Sequence, residues 1–142
     1  MGSCIRFPLS FTCIHMRICI IDDEADCHLL AQKLIEKLVA NPDFLHFING
    51  QQAIDYIIRQ KSEVSSLPEL IFLDINMPVV NGWEFLKMLH SLLIRNYHPV
   101  IYMCSSSQDM DDISMAQTYA VKDYLFKPLT LTVLKDILSD FG

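Results

Sequence analysis

Residues 70–78 read Leu-Ile-Phe-Leu-Asp-Ile-Asn-Met-Pro, a short apolar run that ends in an acid and is soon followed by a proline. A run this short and this apolar is typical of a parallel strand that is buried on both faces. Asp74 therefore lies at the carboxyl end of that strand, the edge where open α/β sheets place their functional groups. A second acidic pair, Asp22-Asp23, ends the apolar run at 17–21. Two strands that end in acids at one edge predict a shared anionic pocket.

The composition indicates one acidic globular domain. The chain has 142 residues, of which 51% are hydrophobic, and a formal net charge of -6. This hydrophobic content is sufficient for a core and too high for a disordered chain. The negative charge argues against a nucleic-acid partner, which needs a basic face, and no apolar run reaches the ~18 residues of a membrane span.

The cysteines and histidines predict no metal cluster. The five cysteines lie in or near apolar runs without Cys-x-x-Cys spacing, which favours buried free thiols in a reducing, cytoplasmic compartment. The five histidines are dispersed and form no ligand pattern. These residues are Cys4, Cys13, Cys19, Cys27 and Cys104, and His15, His28, His46, His90 and His98.

The first fifteen residues differ from the rest of the chain. They contain one arginine and a mixed apolar stretch at 7–11, without the charged start and long apolar centre of a secretory signal. Met16 stands directly before the first predicted strand. We therefore interpret residues 1–15 as a tail that need not belong to the natural domain, and residues 16–142 as one domain.

Strand-like and helix-like segments alternate along that domain. Apolar runs predict strands at about 16–21, 44–48, 69–74, 99–104 and 122–126. Helical spacing predicts helices at about 24–40, through 53–58, at 82–94 and at 130–139, and one that begins near the acids at 109–112. This alternation predicts an α/β fold, a five-stranded parallel sheet with helices on both faces. The acidic ends of strands one and three can be neighbours in the flavodoxin-like order 2-1-3-4-5.

Four features now stand at the ends of predicted strands: Asp22-Asp23, Asp74, Ser105 and Lys127. In this order and on these elements they resemble the receiver domain of two-component response regulators. The resemblance covers about 16–140. The matching pieces are Ile-Ile-Asp-Asp-Glu at 20–24, Leu-Asp-Ile-Asn-Met-Pro at 73–78, Asn-Gly at 81–82, Ser-Ser at 105–106 and Asp-Tyr-Leu-Phe-Lys-Pro-Leu at 123–129.

The resemblance implies a role for each acid and for the lysine. Asp74 matches the family's phosphoacceptor. Lys127, in a Lys-Pro bond that is usually cis in the family, would pair with Asp74 and later with a phosphoryl oxygen. Asp23 and Asp74, with the backbone carbonyl of Asn76, would bind Mg²⁺ directly, and Asp22 would act mostly through water. Asp23 or Glu24 could also cap the following helix, and capping and metal binding can coexist.

The resemblance also implies a switch made by Ser105 and Tyr124. Ser105 matches the hydroxyl residue that would bind a phosphoryl oxygen, and the ring of Tyr124 would follow it inward. Ser105, Ser106 and Ser107 are consecutive, so the assignment could move by one residue, and serines here could simply turn the chain. The alternative for Tyr124 is a half-buried strand tyrosine whose hydroxyl meets water.

The function implied is that of a receiver-only response regulator in a phosphorelay. It would take a phosphoryl group from a histidine kinase or a histidine phosphotransfer protein and signal by contact with an unknown downstream protein. It would not be a turnover enzyme, although slow autodephosphorylation is expected. Two alternatives stay open: a degenerate receiver that acts as a scaffold, and an aspartyl-nucleophile phosphatase, because Asp74-Ile75-Asn76 resembles an Asp-x-Asp start.

Overall fold

The computed structural model of the chain describes residues 16–106, 118–119 and 121–140. Its strands are β1 (Arg17–Ile21), β2 (Asp43–Phe47), β3 (Leu70–Asp74), β4 (Val100–Ser105) and β5 (Asp123–Phe126). Its helices are α1 (Ala25–Glu36), α2 (Gly50–Gln60), α3 (Gly82–Ser91) and α4 (Leu131–Ser139), with a 3₁₀ turn at Val64–Ser66. The predicted tail at 1–15 and the helix predicted to begin near 109–112 lie outside the described residues.

The five strands form one parallel sheet in the order β2-β1-β3-β4-β5, which confirms the predicted topology. Ile21 pairs with Leu73 in the register of β1 and β3. Asp22 and Asp74 each come one residue later along these neighbouring strands. The strand order therefore carries both acids to the same carboxyl edge of the sheet.

The buried apolar side chains form two clusters, one on each face of the sheet. α2 and α3 cover one face and contribute the fully buried Ile54 and Phe85. α1 and α4 cover the other face and contribute Ile35 and Leu134. All five residues of β3 are buried because helices cover both of its sides, and this explains why its sequence shows no polar alternation.

Three helices begin after a side chain that accepts a free amide of the first turn. Asn49, Asn81 and Thr130 cap α2, α3 and α4 in this way, and each such cap stabilises a helix by about 1 kcal/mol. Glu24 holds the cap position of α1, but its side chain makes no capping hydrogen bond. Glu24 therefore does not cap α1 with its side chain. Its carboxylate contacts Lys127 instead.

α1 ends four residues earlier than predicted, at Glu36 rather than at 40. The amides of Leu38 and Val39 both bond to the carbonyl of Ile35, which closes the last turn. Asn41 then takes a positive φ of 53°. The following proline disfavours the right-handed helical region for Asn41, and asparagine tolerates the left-handed region better than most residues.

α3 also ends early, at Ser91 rather than at 94. Leu93, two residues later, has a φ of 51°, so the chain leaves the helix through a left-handed residue without a glycine. The five strands and the last helix match their predicted bounds to within one residue. Within the described part of the chain, no helix combines the length and the apolar character that crossing a membrane requires.

Candidate functional site

Three carboxylates meet at the carboxyl edge of the central strands. Asp22 and Asp74 are buried, with 4% and 6% of their surface exposed, whereas Asp23 is exposed. One oxygen from each of the three lies within 4.8 Å of the others. The structure therefore brings together the acids that the sequence placed at two strand ends.

Lys127 enters this group from the end of β5. Its ammonium nitrogen lies 2.8 Å from Oδ2 of Asp22, 3.1 Å from Oδ1 of Asp74 and 3.6 Å from Oε1 of Glu24. The Lys127 amide donates to the carbonyl of Ser105 at 2.8 Å, which fixes the backbone beside β4. The Lys127–Pro128 peptide bond is cis. The amine thus lies among three carboxylates and is largely screened from solvent.

Burial and charge give the paired groups unusual proton affinities. Burial raises the pKa of Asp74 to about 6, and the charge of Asp22 adds to the rise, while Lys127 opposes it. Burial also disfavours the ammonium of Lys127, but the hydrogen bond and charge of Asp22 and the charge of Asp74 raise its pKa above the ordinary value. The lysine therefore stays charged. Its positive charge does not fully offset the effect of burial and of Asp22 on the carboxylate of Asp74.

The other predicted residues surround this group at different depths. Ser105 ends β4 and is buried, one residue beyond Cys104, which pairs with Asp74 in register. Ser106 is exposed, and Ser107 lies outside the described residues. Asn76 is exposed in the loop that follows β3. Ser105 is therefore the serine held beside the strand that carries Asp74.

Tyr124 lies farther along the sheet, on the edge strand β5. It is half-buried, and its ring centroid is 5.3 Å from that of Phe126. Its side chain packs against the apolar cluster under α2 and α3. The structure thus contains the half-buried strand tyrosine that was considered as the alternative, and this position is also compatible with a switch residue.

Glu24 and Cys27 were not assigned to the site from the sequence. Glu24 contacts Lys127, and the Cys27 thiol lies 3.5 Å from Oε1 of Glu24. Burial raises the pKa of the Cys27 thiol to about 12, with a further contribution from the charge of Asp22, which favours the protonated thiol. The position of Glu24 directly after Asp22-Asp23 could have indicated that it contacts the site, but an acid at the start of a helix also suggests a capping residue.

A cavity of about 440 Å³ opens between α1 and the segment after β5. The acids and the lysine lie at its polar end, and apolar side chains form the opposite walls. The apolar walls include Ile20, Leu30, Phe72 and Leu129. This volume lies in the range of small-molecule sites, so a small group can approach Asp74 from this side.

The structure adds a contact between two histidines whose positions in the sequence form no ligand pattern. His28 on α1 and His46 on β2 meet, with their Nδ1 atoms 2.8 Å apart. Their separation in the sequence hides the contact, because it arises from the packing of α1 beside β2. Of the cysteines expected to be buried free thiols, Cys19 and Cys104 are free and buried, and Cys27 is free but only partly buried. Cys4 and Cys13 lie outside the described residues.

The sequence of this chain is similar to a known protein family and to several of its members. The family model for the response regulator receiver domain matches residues 18–139. The chain is 29% identical over 123 residues to the probable methanogenesis regulatory protein FilR2 of Methanothrix harundinacea, covering 87% of this chain and 79% of that protein. It is 25% identical over 125 residues to a chemotaxis protein CheY homolog of Campylobacter jejuni, covering 88% and 91%.

Solved structures give the same result. The crystal structure of the phosphorylated cyanobacterial phytochrome response regulator RcpA matches with a TM-score of 0.71 and 26% identity, covering 90% of this chain and 91% of that one. A signal receiver domain of a putative LuxO repressor protein from Vibrio parahaemolyticus has a TM-score of 0.73 at 21% identity, covering 89% and 88%. The second match supports the fold alone.

Proposed function

This chain belongs to the response regulator receiver domain family, a signalling domain of two-component systems, and from that premise we propose that Asp74 is its phosphoacceptor. One observation carries the proposal: Lys127 lies 3.1 Å from Asp74 and 2.8 Å from Asp22 at a single edge of the sheet. An acceptor carboxylate needs positive charge nearby, because it must approach an anionic phosphoryl group. Asp74 also faces a cavity through which such a group can enter.

The proposed reaction is transfer from a phosphohistidine on a histidine kinase or histidine phosphotransfer protein. A carboxylate oxygen of Asp74 attacks the phosphorus and forms an O–P bond while the P–N bond breaks. The bonding electron pair stays on the donor's imidazole nitrogen, which takes up a proton. The RcpA relative was solved in a phosphorylated form, which supports the same chemistry for this chain.

The donor set at this edge suits Mg²⁺. Carboxylate oxygens of Asp22, Asp23 and Asp74 lie within 4.8 Å of one another, and Mg²⁺ prefers oxygen ligands while keeping several waters. Asp23, Asp74 and the carbonyl of Asn76 would hold the ion directly, and Asp22 would act mostly through water. When bound, Mg²⁺ supplies positive charge that offsets the repulsion between Asp74 and the phosphoryl group.

Lys127 and Ser105 are the proposed readers of the new phosphoryl group. Lys127 would exchange its contact with Asp74 for a contact with a phosphoryl oxygen, and the Ser105 hydroxyl would donate to another. The ring of Tyr124 would then move inward, and the populations of two pre-existing conformations would shift. A downstream protein in the cytoplasm would recognise the shifted surface, and water would slowly hydrolyse the acyl phosphate.

Incubation with acetyl phosphate and Mg²⁺, followed by intact mass measurement, tests the proposal. We expect one added phosphoryl group on the wild-type protein and none on Asp74→Asn. Chelation of Mg²⁺ with EDTA should prevent the addition. Asp136→Asn is the matched control, because Asp136 is an exposed acid on α4 that neither belongs to the three-acid group nor lines the cavity. It should be phosphorylated like the wild type.

Other results would select the alternatives. A folded wild-type protein that gains no phosphoryl group would favour a scaffold role and would overturn the assignment of Asp74. Multiple turnovers of p-nitrophenyl phosphate, lost in Asp74→Asn, would favour an aspartyl phosphatase. Addition that persists in Asp74→Asn would move the acceptor to another residue.

A further inference from the structure

A pair of imidazole rings stands outside the acidic edge. His28 comes from α1 and His46 from β2, and their ring centroids are 4.9 Å apart with an interplanar angle of 58°. Their Nδ1 atoms face each other at 2.8 Å. Phe44 stacks on the ring of His46 with a centroid distance of 5.7 Å, so the ring is held in place.

Acceptors fix the outer nitrogen of each ring. Nε2 of His28 lies 2.7 Å from the backbone carbonyl of Asp22, and Nε2 of His46 lies 2.9 Å from Oε1 of Gln32. The amide of Gln32 cannot turn freely, because its Nε2 donates to Glu36 at 3.2 Å. A carbonyl oxygen only accepts, so both Nε2 atoms must carry the hydrogen.

This arrangement leaves two lone pairs in contact. A neutral imidazole has one N–H, so two rings protonated at Nε2 present bare Nδ1 atoms to each other at 2.8 Å. Moving a hydrogen to either Nδ1 would instead oppose that ring's Nε2 lone pair to a carbonyl oxygen. Each neutral arrangement that keeps this orientation of Gln32 therefore contains one repulsive contact. A cation shared by the two Nδ1 atoms removes it, either a proton that one ring carries on Nδ1 and donates to the other, or a metal ion that both nitrogens bind.

We propose that His28 and His46 form a two-imidazole site for a borderline transition-metal dication of the Ni²⁺ or Cu²⁺ type. These ions favour nitrogen ligands and ligand angles near 90°. Two nitrogens at about 2.0 Å from a metal at that angle are separated by about 2.8 Å. The observed Nδ1 separation has this value.

The surroundings of the pair match those of known histidine ligands. A metal-bound histidine usually donates its other N–H to a carbonyl or carboxylate, which fixes the ring and the tautomer. The carbonyl of Asp22 and Oε1 of Gln32 provide that support here.

The site would differ from the acidic edge in the ion that it selects. Among residues 16–106, 118–119 and 121–140, the clusters of three potential ligands contain carboxylates and Cys27 but neither histidine. His46 is exposed, so water would complete the coordination. Soft-to-borderline ions would therefore choose the imidazoles, and Mg²⁺ would choose the carboxylates.

Calorimetric titration of the purified full chain with Ni²⁺ tests the site. Excess Mg²⁺ is present throughout, so that the carboxylates are occupied. We expect one Ni²⁺ per chain, with binding lost in His46→Gln and in His28→Gln. Gln32→Met should weaken binding by about ten-fold, since it removes only the support of His46. Replacing the exposed His90 and His98 by glutamine should leave the affinity unchanged.

Nitrogen-15 spectra of the imidazole rings locate the metal directly. Paramagnetic Ni²⁺ should broaden the ring signals of His28 and His46 before those of the other histidines. The proposal is overturned if no stoichiometric Ni²⁺ binds, if the His46→Gln protein binds as tightly as wild type, or if binding disappears in Asp23→Asn. The last result would place the metal at the carboxylates.

Discussion

The carboxyl edge of the central sheet and the interior beneath it are built from the same strands, but the interior buries apolar side chains and the edge buries charged ones. In β3, residues 70–73 are apolar and buried between two helical layers, and each buried side chain stabilises the fold. The next residue, Asp74, is equally buried but charged, and it faces two further acids. The interior therefore stabilises the fold by burying apolar side chains, whereas the edge holds buried carboxylates whose mutual repulsion lowers stability.

The largest expected effect lies in the interior, at Phe85. This ring is fully buried in the cluster under α2 and α3. Phe85→Ala should lower the free energy of unfolding by about 3–5 kcal/mol, because it removes buried surface and leaves a cavity. Urea denaturation followed by circular dichroism measures the change.

Leu29 provides the matched control for that substitution. It is 55% exposed on α1, so Leu29→Ala should change the free energy of unfolding by no more than about 0.5 kcal/mol. Equal losses in the two variants would show that burial does not distinguish them, and the contrast between interior and surface would fail.

The second expected effect is that of a substitution at Asp74, which should raise the free energy of unfolding rather than lower it. The pKa of Asp74 is about 6 in the folded chain against an ordinary value of 3.8, so the native state binds more protons than the unfolded state between these values. Stability contributed by this group is therefore present below pH 4 and is lost as pH rises toward 6. In metal-free buffer at pH 7, Asp74→Asn should raise the free energy of unfolding by about 1–3 kcal/mol.

The pH profile separates this cause from a general mutational effect. The advantage of Asp74→Asn should shrink to near zero below pH 4, where the wild-type carboxyl is also neutral. Lys127 keeps its contacts with Asp22 and Glu24 in the variant, so it is not left without a partner. An advantage of Asp74→Asn that is constant with pH would contradict the explanation by burial.

The strands and their order could be predicted because each signal is local. Five apolar runs marked the strands, and acids after two of them fixed which strands are neighbours. The ends of α1 and α3 could not be predicted in the same way. Asn41 and Leu93 adopt left-handed φ values near these ends, and neither is the glycine that usually marks such a position.

The acidic edge could be predicted for the same reason, and the histidine pair could not. Asp22, Asp74 and Lys127 all stand at or beside strand ends, so strand order alone brings them together. His28 lies inside a helix and His46 inside a strand, and their contact depends on how α1 packs beside β2. That packing leaves no periodic signal in the sequence. The roles proposed for the acids and the lysine remain predictions for the phosphorylation experiment.

The smallest expected effect lies in the loop between β3 and α3, which follows Asp74 at the carboxyl edge of the sheet. Val79 has a φ of 71°, and the amide of Val80 donates to the carbonyl of Pro78 at 2.9 Å across it. A left-handed conformation is unfavourable for a β-branched residue by roughly 1–2 kcal/mol. The side chain is 76% exposed, so little burial offsets this strain.

Val79→Gly should therefore stabilise the fold, although glycine loses more backbone entropy on folding, by roughly 0.5–1 kcal/mol. The net gain in the free energy of unfolding should be about 0.5–1 kcal/mol, measured by urea denaturation. Val79→Ala keeps the β carbon and should retain most of the strain, so its gain should be smaller. If Val79→Gly destabilises the protein, the loop is not strained, and the contrast between a stabilising interior and a strained edge would apply to Asp74 alone.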